Sequence, residues 1–261
     1  MVTADDLLRD GDLAGARAAL VEAVRKQPGD EQARMFLFQL FAIAGEWDKA
    51  RSQLAALASL SAEAQMLSVA YGQAIDAERE RAAVFAGTQR ARQHVASAWY
   101  EGVVDALELL GKGDAAGAEA ARDAAFDAAP DTPGTIDDVA FDWIADADSR
   151  FGPGFEAIIG GRYGLQAFDQ VERITSAGPR DLRDIVWYPV QIFFRSGQSV
   201  AAMLPARYPG SEAADDAGER LGKVTSWHEA GGIEFGSGQR LWSLSTGDDV
   251  GLLSVRTLAF A

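Results

Sequence analysis

The chain has 261 residues, 48% of them apolar, which is enough for two domains that each bury a core. Its formal charge is −15, with 13 cationic against 23 anionic residues in 1–139 and 11 against 16 in 140–261, so both halves repel a phosphate backbone or an anionic bilayer and steer in a basic polypeptide segment. Cysteine is absent, which excludes disulfides, thiolate metal sites and a cysteine nucleophile.

The N-terminal MVTADDLLRDGD is acidic and lacks the basic and apolar regions of a signal peptide, so a cytoplasmic protein is expected. Thr3, with Asp6 three residues on, predicts a helix N-cap, and the helix runs through Arg9 until Gly11 breaks it. Leu13, Ala16, Leu20 and Val24 form the apolar stripe of a partner helix that stops at Pro28-Gly29. Helical spacing of Phe36, Leu37, Leu40, Phe41 and Ile43 predicts a helix over 31–44, followed by one over 47–60. The apolar run 35–44 is about half a bilayer span and contains Gln39, so no membrane crossing is expected. Ser61 caps a longer helix, 62–84, whose alternating Glu78, Arg79, Glu80 and Arg81 read as a solvated face. Further helices are expected over 92–110, 114–129 and 135–145, the last because Thr135 and Asp138 stand at N-cap spacing. Pro130-Asp131-Thr132-Pro133-Gly134 is the strongest loop signal in this half and places the expected boundary between domains 1–134 and 135–261.

Three segments of this half echo one another at multiples of 34 residues: GDLAGARAALVEAVRKQPGD at 11–30, GEWDKARSQLAALA at 45–58 and GDAAGAEAARDAAFDAAPD at 113–131. Gly11, Gly45 and Gly113 align, as do Ala16, Ala50 and Ala118, and Pro28 aligns with Pro130; Arg79 stands where the intervening copy's glycine would fall. Each punctuating residue has a backbone task, glycine ending one helix at positive φ and proline closing its partner. A 34-residue period of this composition marks tetratricopeptide-type helix pairs, whose stacks hold other polypeptides.

From Phe155 the pattern changes to strand-like runs bounded by Gly or Pro, at 155–159, 168–175, 186–195, 199–204, 224–228, 240–245 and 250–260. A short helix is expected at 180–185, and hairpin turns at Gly236-Ser237-Gly238 and Gly247-Asp248-Asp249. The whole therefore reads as α+β: an N-terminal α-α superhelix of degenerate TPR-like helix pairs, then a small, strongly bent antiparallel β domain resembling a partly open barrel.

The densest cluster of functional side chains is Asp142-Trp143-Ile144-Ala145-Asp146-Ala147-Asp148-Ser149-Arg150. A calcium loop fails there, because Arg150 takes a ligand position, glycine misses the sixth position and Ala157 stands where a bidentate Glu belongs. An alternative to a binding protein is a small-molecule or hydrolytic domain using Asp142, Asp146 and Arg150 in a cleft with Tyr208 and Trp227, yet no activated nucleophile accompanies them. The bland account is that these aspartates cap a helix and pair with Arg150, Arg180 or Arg183 across a domain seam. His94 and His228 lack the spacing partners of a zinc site, Gly111-Lys112-Gly113 is not a P-loop, and no G-x-S-x-G elbow occurs, so no enzyme and no metal are expected. Two prolines around Arg207-Tyr208 make a stiff loop of the kind that presents a binding site or crosses between strands.

These segments, with Pro179-Arg180-Asp181-Leu182-Arg183-Asp184-Ile185-Val186-Trp187, Gly161-Arg162-Tyr163, Thr225-Ser226-Trp227, Gly238-Gln239-Arg240 and Arg81-Ala82-Ala83-Val84-Phe85-Ala86-Gly87, resemble in order and spacing the motifs of the ImpE family, also called SciE or TagJ, accessory proteins of bacterial type VI secretion. The chain departs from the pattern after Tyr163, where Gly164-Leu165-Gln166-Ala167 replaces a further aromatic and a proline. The resemblance implies a non-catalytic cytoplasmic adaptor without a cofactor. It would bind the N-terminal helical region of the small sheath subunit and link it to the AAA+ ATPase that disassembles the sheath, with no nucleic acid and no membrane as partner. The residues singled out for partner binding are Asp142, Trp143, Asp146, Asp148, Arg150, Tyr163, Arg183, Trp187, Arg207, Tyr208 and Trp227.

Overall fold

A computed structural model describes residues 3–230 and 233–261; Met1 and Val2, which open the acidic N-terminal segment, lie outside it. Seven helices come first: α1 (Ala4–Arg9), α2 (Leu13–Lys26), α3 (Glu31–Ile43), α4 (Trp47–Ala58), α5 (Ala62–Phe85), α6 (Glu101–Gly111) and α7 (Ala115–Asp127). Thr3 and Asp6 close a capping box at α1, and Ser61 accepts from the Ala64 amide at α5.

The 34-residue echo has a direct backbone meaning. Gly11, Gly45 and Gly113 all adopt positive φ, +83°, +66° and +82°, and each turns the chain from the first helix of a pair into the second. Asp12 and Asp114 then cap α2 and α7 by accepting the amides of Gly15 and Gly117. Ala16, Ala50 and Ala118 are buried, small enough for the paired helices to approach closely. Without a glycine at Arg79 the intervening copy has no break, so α5 continues for 24 residues and stops only before Gly87, at φ +67°.

Two expected helices are corrected. Residues 92–94 are extended rather than helical: the His94 amide donates to the Leu165 carbonyl and the Leu165 amide to the Arg92 carbonyl, which covers a sheet edge. Residues 135–145 form three short strands, β1 (Gly134–Ile136), β2 (Val139–Phe141) and β3 (Ile144–Asp146). What looks like N-cap spacing is a two-residue hairpin turn, with Asp137 and Asp138 both at positive φ. The Asp137 carboxylate accepts the amides of Arg256 and Thr257, which holds the turn against the neighbouring strand.

The remaining elements are β4 (Gly154–Ile159), β5 (Arg162–Ala167), β6 (Val171–Thr175), β7 (Trp187–Phe194), β8 (Ser199–Pro205), the short α8 (Ala217–Arg220), β9 (Thr225–Ala230), β10 (Ile233–Gly238), β11 (Leu241–Leu244), β12 (Asp249–Gly251) and β13 (Thr257–Phe260). Strand β5 is not anticipated by its sequence. Gly236-Ser237-Gly238 lies inside β10 rather than in a turn, and runs 168–175 and 250–260 are each interrupted by a 3-10 turn, at Phe168–Gln170 and Leu252–Ser254. The expected 180–185 helix is a 3-10 turn, Leu182–Ile185. Eight antiparallel strands pair in the order β2-β1-β13-β6-β7-β8-β4-β5; β12-β11-β3 and β10-β9 form two smaller sheets. The large sheet stays open, its edge strands β2 and β5 unpaired with each other.

One core lies within the sheets, around Phe155, Phe168, Trp242 and Leu258. The other runs from the helices into the β half, joining Leu37, Phe38, Tyr71 and Ile75 to Tyr163, Leu165, Trp187 and Tyr208. Trp187 is its hub, with the rings of Trp47, Tyr71 and Phe38 at centroid distances of 5.8, 5.7 and 6.5 Å. No described helix is long and apolar enough to cross a membrane.

Candidate functional site: a composite groove above a buried ionic seam

The charge run on α5 is not a solvated face. Arg79 is on its outer side, pairing with Asp48 and Asp76. Glu80 accepts the Tyr163 amide at 3.1 Å and pairs with Arg162 at the border of the β half, while Glu78 and Arg81 are one turn apart on the inner side and buried. Arg81 grips Glu156 of β4 bidentately, at 2.7 and 2.8 Å, and donates to the Arg207 carbonyl at 2.8 Å. Glu156 also accepts from the Tyr163 hydroxyl at 2.7 Å and from Arg240. Arg240 reaches onward to Asp146, which accepts from the Tyr208 hydroxyl at 3.1 Å and the Asp148 amide at 3.0 Å. Asp148 in turn holds Arg150 at 2.6 Å and the Gly236 amide at 3.0 Å. Glu78 accepts from the Trp187 indole at 2.9 Å.

Arg207 completes the seam by donating to the carbonyls of Ile43, at 3.0 Å, and Arg220. Its guanidinium thus caps the C-terminus of α3 against the β half, where a cation meets the negative end of the helix dipole. Glu78, Asp146, Asp148 and Glu156 balance Arg81, Arg150, Arg207 and Arg240, so the seam is neutral when every member is ionised.

Burial pushes the Asp146 carboxyl up to about 7, since Arg240, which opposes that effect, divides its charge with Glu156, and the Asp148 carboxylate adds repulsion. Burial acts on Glu156 in the same sense but is outweighed by Arg81 and Arg240, so its carboxyl sits below the usual range. Burial raises Glu78 and lowers Arg207 to about 10.

Separate from this seam, an open groove of about 780 Å³ lies between the starts of α1, α3 and α5 and the β half. Its composition follows from the helix pairing: α1, α3 and α5 each bring a first-turn carboxylate, Asp5, Glu31 and Glu63, and one turn later an apolar side chain, Leu8, Met35 with Phe36, and Leu67. Ser61 donates to Glu31 at 2.9 Å, drawing the starts of α3 and α5 together. The groove is closed by Arg180, Asp181, Leu182 and Arg183 from the β half. Arg183 lies 5.0 Å over the Tyr71 ring, contacts Met35 Sδ at 3.4 Å and pairs with Asp181, while its Nε is buried with no partner among the described residues.

Against this geometry the eleven expected partner-binding residues separate. Asp146, Asp148, Tyr163, Trp187, Arg207 and Tyr208 are buried and bind one another or the helices, which makes them parts of the seam rather than a docking surface. Arg150 is enclosed by Asp148 and by the rings of Phe85, Phe151 and Phe235. Arg183 alone reaches the groove; Trp143 and Trp227 are 46% and 38% exposed elsewhere, and the exposed Asp142 donates its amide to Ser245. The aspartates pair with Arg150 and Arg240 inside the β half, not with Arg180 or Arg183 across the domain seam, and from strand β3 and the turn after it rather than from a helix end.

Asp142, Asp146 and Arg150 do not converge on an open cleft, because Asp146 is committed to Arg240 and Tyr208 while Asp142 is at the surface. Among the described residues no group of three or more His, Asp or Glu side chains is placed to hold a metal ion. His94, half-buried, contacts the Ala157 carbonyl at 2.9 Å. Sequence reasoning missed Glu156, Glu78 and the groove residues of α1, α3 and α5. One signal was present for Glu156: a lone carboxylate within the apolar run Phe155-Glu156-Ala157-Ile158-Ile159 needs a buried cation.

Helix pairs stacked beside an antiparallel sheet, with an open groove across α1, α3 and α5, define a helical-repeat protein fused to a β unit. A tetratricopeptide repeat family matches residues 7–69 and the ImpE protein family residues 138–259. A Pseudomonas aeruginosa protein named type VI secretion system accessory component TagJ is 40% identical over 259 residues, covering 98% of this chain and 90% of its own length. The crystal structure of a Vibrio parahaemolyticus protein superposes with a TM-score of 0.87 at 19% identity, over 99% of this chain and 97% of that one, and so shares the fold. The chain belongs to the ImpE/TagJ family.

Proposed function

We propose that the chain is a non-catalytic adaptor of a bacterial type VI secretion system, working in the cytoplasm, built from a helical unit (1–134) and an ImpE-type β unit (135–261). Its groove receives the N-terminal helix of the small sheath subunit and brings it to the AAA+ ATPase that disassembles the sheath. The accessory role is supported by the Pseudomonas relative's name and 40% identity. The observation that carries the binding mode is the groove itself, an apolar floor of Leu8, Met35, Phe36 and Leu67 beside a row of carboxylates. An amphipathic helix laid into such a groove buries its apolar stripe, and basic residues beside that stripe are attracted.

The test is a fluorescence-anisotropy titration with a labelled synthetic peptide of the sheath subunit's N-terminal helix. Saturable one-to-one binding is expected, weakening as salt is raised from about 0.05 to 0.5 M. Phe36→Ala is expected to reduce affinity about tenfold through loss of an aromatic anchor. A titration that stays flat at the highest peptide concentration overturns the reading. For the second partner, capture of the purified ATPase only when the sheath subunit is present would show linkage through the sheath rather than direct contact.

A further inference from the structure

Resting on the reading that the groove holds a helix, we propose that it also fixes that helix's direction, because its two walls carry opposite charge. The acidic wall is the row of first-turn residues Asp5, Glu31 and Glu63. The basic wall is Arg180 and Arg183, the latter seated on Tyr71, with Asp181 between them pairing with Arg183 and leaving the wall net positive. Position along the helices separates the walls: Met35 follows Glu31 by four residues, about 6 Å of rise, and Tyr71 follows Glu63 by eight, about 12 Å. Along α5 the order is Glu63, Leu67, then Tyr71 carrying Arg183, and on α3 Arg183 lies on Met35, a turn beyond Glu31. On both helices the arginine is displaced from the carboxylate in the same direction, so polarity runs parallel to their axes.

An occupant that touches α1, α3 and α5 lies across those axes. Its apolar stripe meets Leu8, Met35, Phe36 and Leu67, one flank faces the carboxylates and the other faces the arginines. Reversing such a helix end for end exchanges its flanks. The groove thus selects an amphipathic helix with basic residues on one flank and an acidic residue on the other, and holds it in a single direction. Arg183 is suited to face the acidic flank, because its guanidinium is braced at the groove by Asp181, Tyr71 and Met35. Arg180 and the three carboxylates are at the surface, where they bias association without committing a buried charge.

The experiment uses the full chain and three designed helical peptides sharing one apolar stripe, with flanks Lys/Lys, Lys/Glu or Glu/Glu. The expected order of affinity at low salt is Lys/Glu, then Lys/Lys, then Glu/Glu, compressed to within about twofold at 0.5 M salt. In E31K/E63K the Lys/Glu peptide weakens about tenfold and Glu/Glu becomes preferred to Lys/Lys; in R180E the Lys/Lys peptide overtakes Lys/Glu. A spin label at the N-terminus of the Lys/Glu peptide broadens protein resonances at one end of the groove only, and at the opposite end when the peptide's flanks are exchanged. Unchanged melting temperature confirms folding of each variant, and E31Q/E63Q repeats the test without introducing new charge. Affinities independent of flank charge, or broadening at both ends, overturn the proposal. If the sheath peptide binds but ignores E31K/E63K and R180E, the polarity inference fails alone; if the designed peptides obey the flank rule and the sheath peptide does not bind, the sheath reading fails alone.

Discussion

Glu156 is enclosed on every side and neutralises two guanidiniums, Arg81 from the helices and Arg240 from the sheets. Removing it by Glu156→Ala takes the shared carboxylate from both cations and leaves Arg81 only its 3.5 Å contact with Glu78 and Arg240 only Asp146 as anionic partners, an expected loss of about 3–5 kcal/mol in urea denaturation. Asp146 behaves differently with pH. Its folded carboxyl is raised from 3.8 to about 7, so between those values the folded state holds a proton that the unfolded chain has released. Ionising it within the seam costs stability, and that cost grows as pH rises through the window and levels off above it. Measured against Asp146→Asn, which cannot ionise, the wild type should therefore lose ground from about pH 4 to pH 7. A difference between the two that is constant with pH would contradict this. Glu156, held below the usual range, has the opposite sign: its contribution is present above the unfolded carboxylate range and is lost as pH falls through its folded value.

At the level of elements, two of the three glycines that turn helix pairs at equivalent positions, Gly113 and Gly45, differ sharply in surroundings. A Cβ on Gly113 would meet nothing within 4 Å, whereas one on Gly45 would lie 2.7 Å from the Glu212 side chain, both at positive φ. Gly113→Ala should cost only the left-handed strain of about 1–2 kcal/mol, and Gly45→Ala that amount plus displacement of Glu212, a ranking readable from chemical denaturation midpoints. The helices were legible from local signals, because Gly11, Gly45 and Gly113 have one backbone task that their identity announces. The β1–β2 hairpin was not, since Asp137 and Asp138 take positive φ only with the Asp137 carboxylate held by strand amides over a hundred residues away. Strand β5 was obscured by Gly164, whose missing side chain lets Arg92 and His94 approach to pair with the edge.

Across the whole molecule, the core that joins Phe38 and Tyr71 to Trp187 and Tyr208 ties helices and sheets together, as do the buried contacts of Arg81 with Glu156, Glu78 with Trp187 and Arg207 with the Ile43 carbonyl. Full-length protein should therefore unfold in one transition, with tryptophan fluorescence and far-ultraviolet circular dichroism coinciding; Arg81→Leu, by stranding Glu156 beneath α5, should separate the two signals or lower both midpoints together. The same union completes the groove, because its acidic wall belongs to α1, α3 and α5 and its arginines to the β half.

By itself the sequence determined what local chemistry can decide: helix pairs punctuated by glycine, strands in the second half, an acidic charge balance, and motifs sufficient for the family. Tertiary structure alone decided which charges face inward. Glu78 and Arg81 sit one turn apart in a run that alternates like any solvated helix, and nothing within 75 residues of Arg81 reveals that Glu156 will meet it. A charge becomes part of a seam or of a surface according to its distant partner, and folding, not spacing along the chain, supplies that partner.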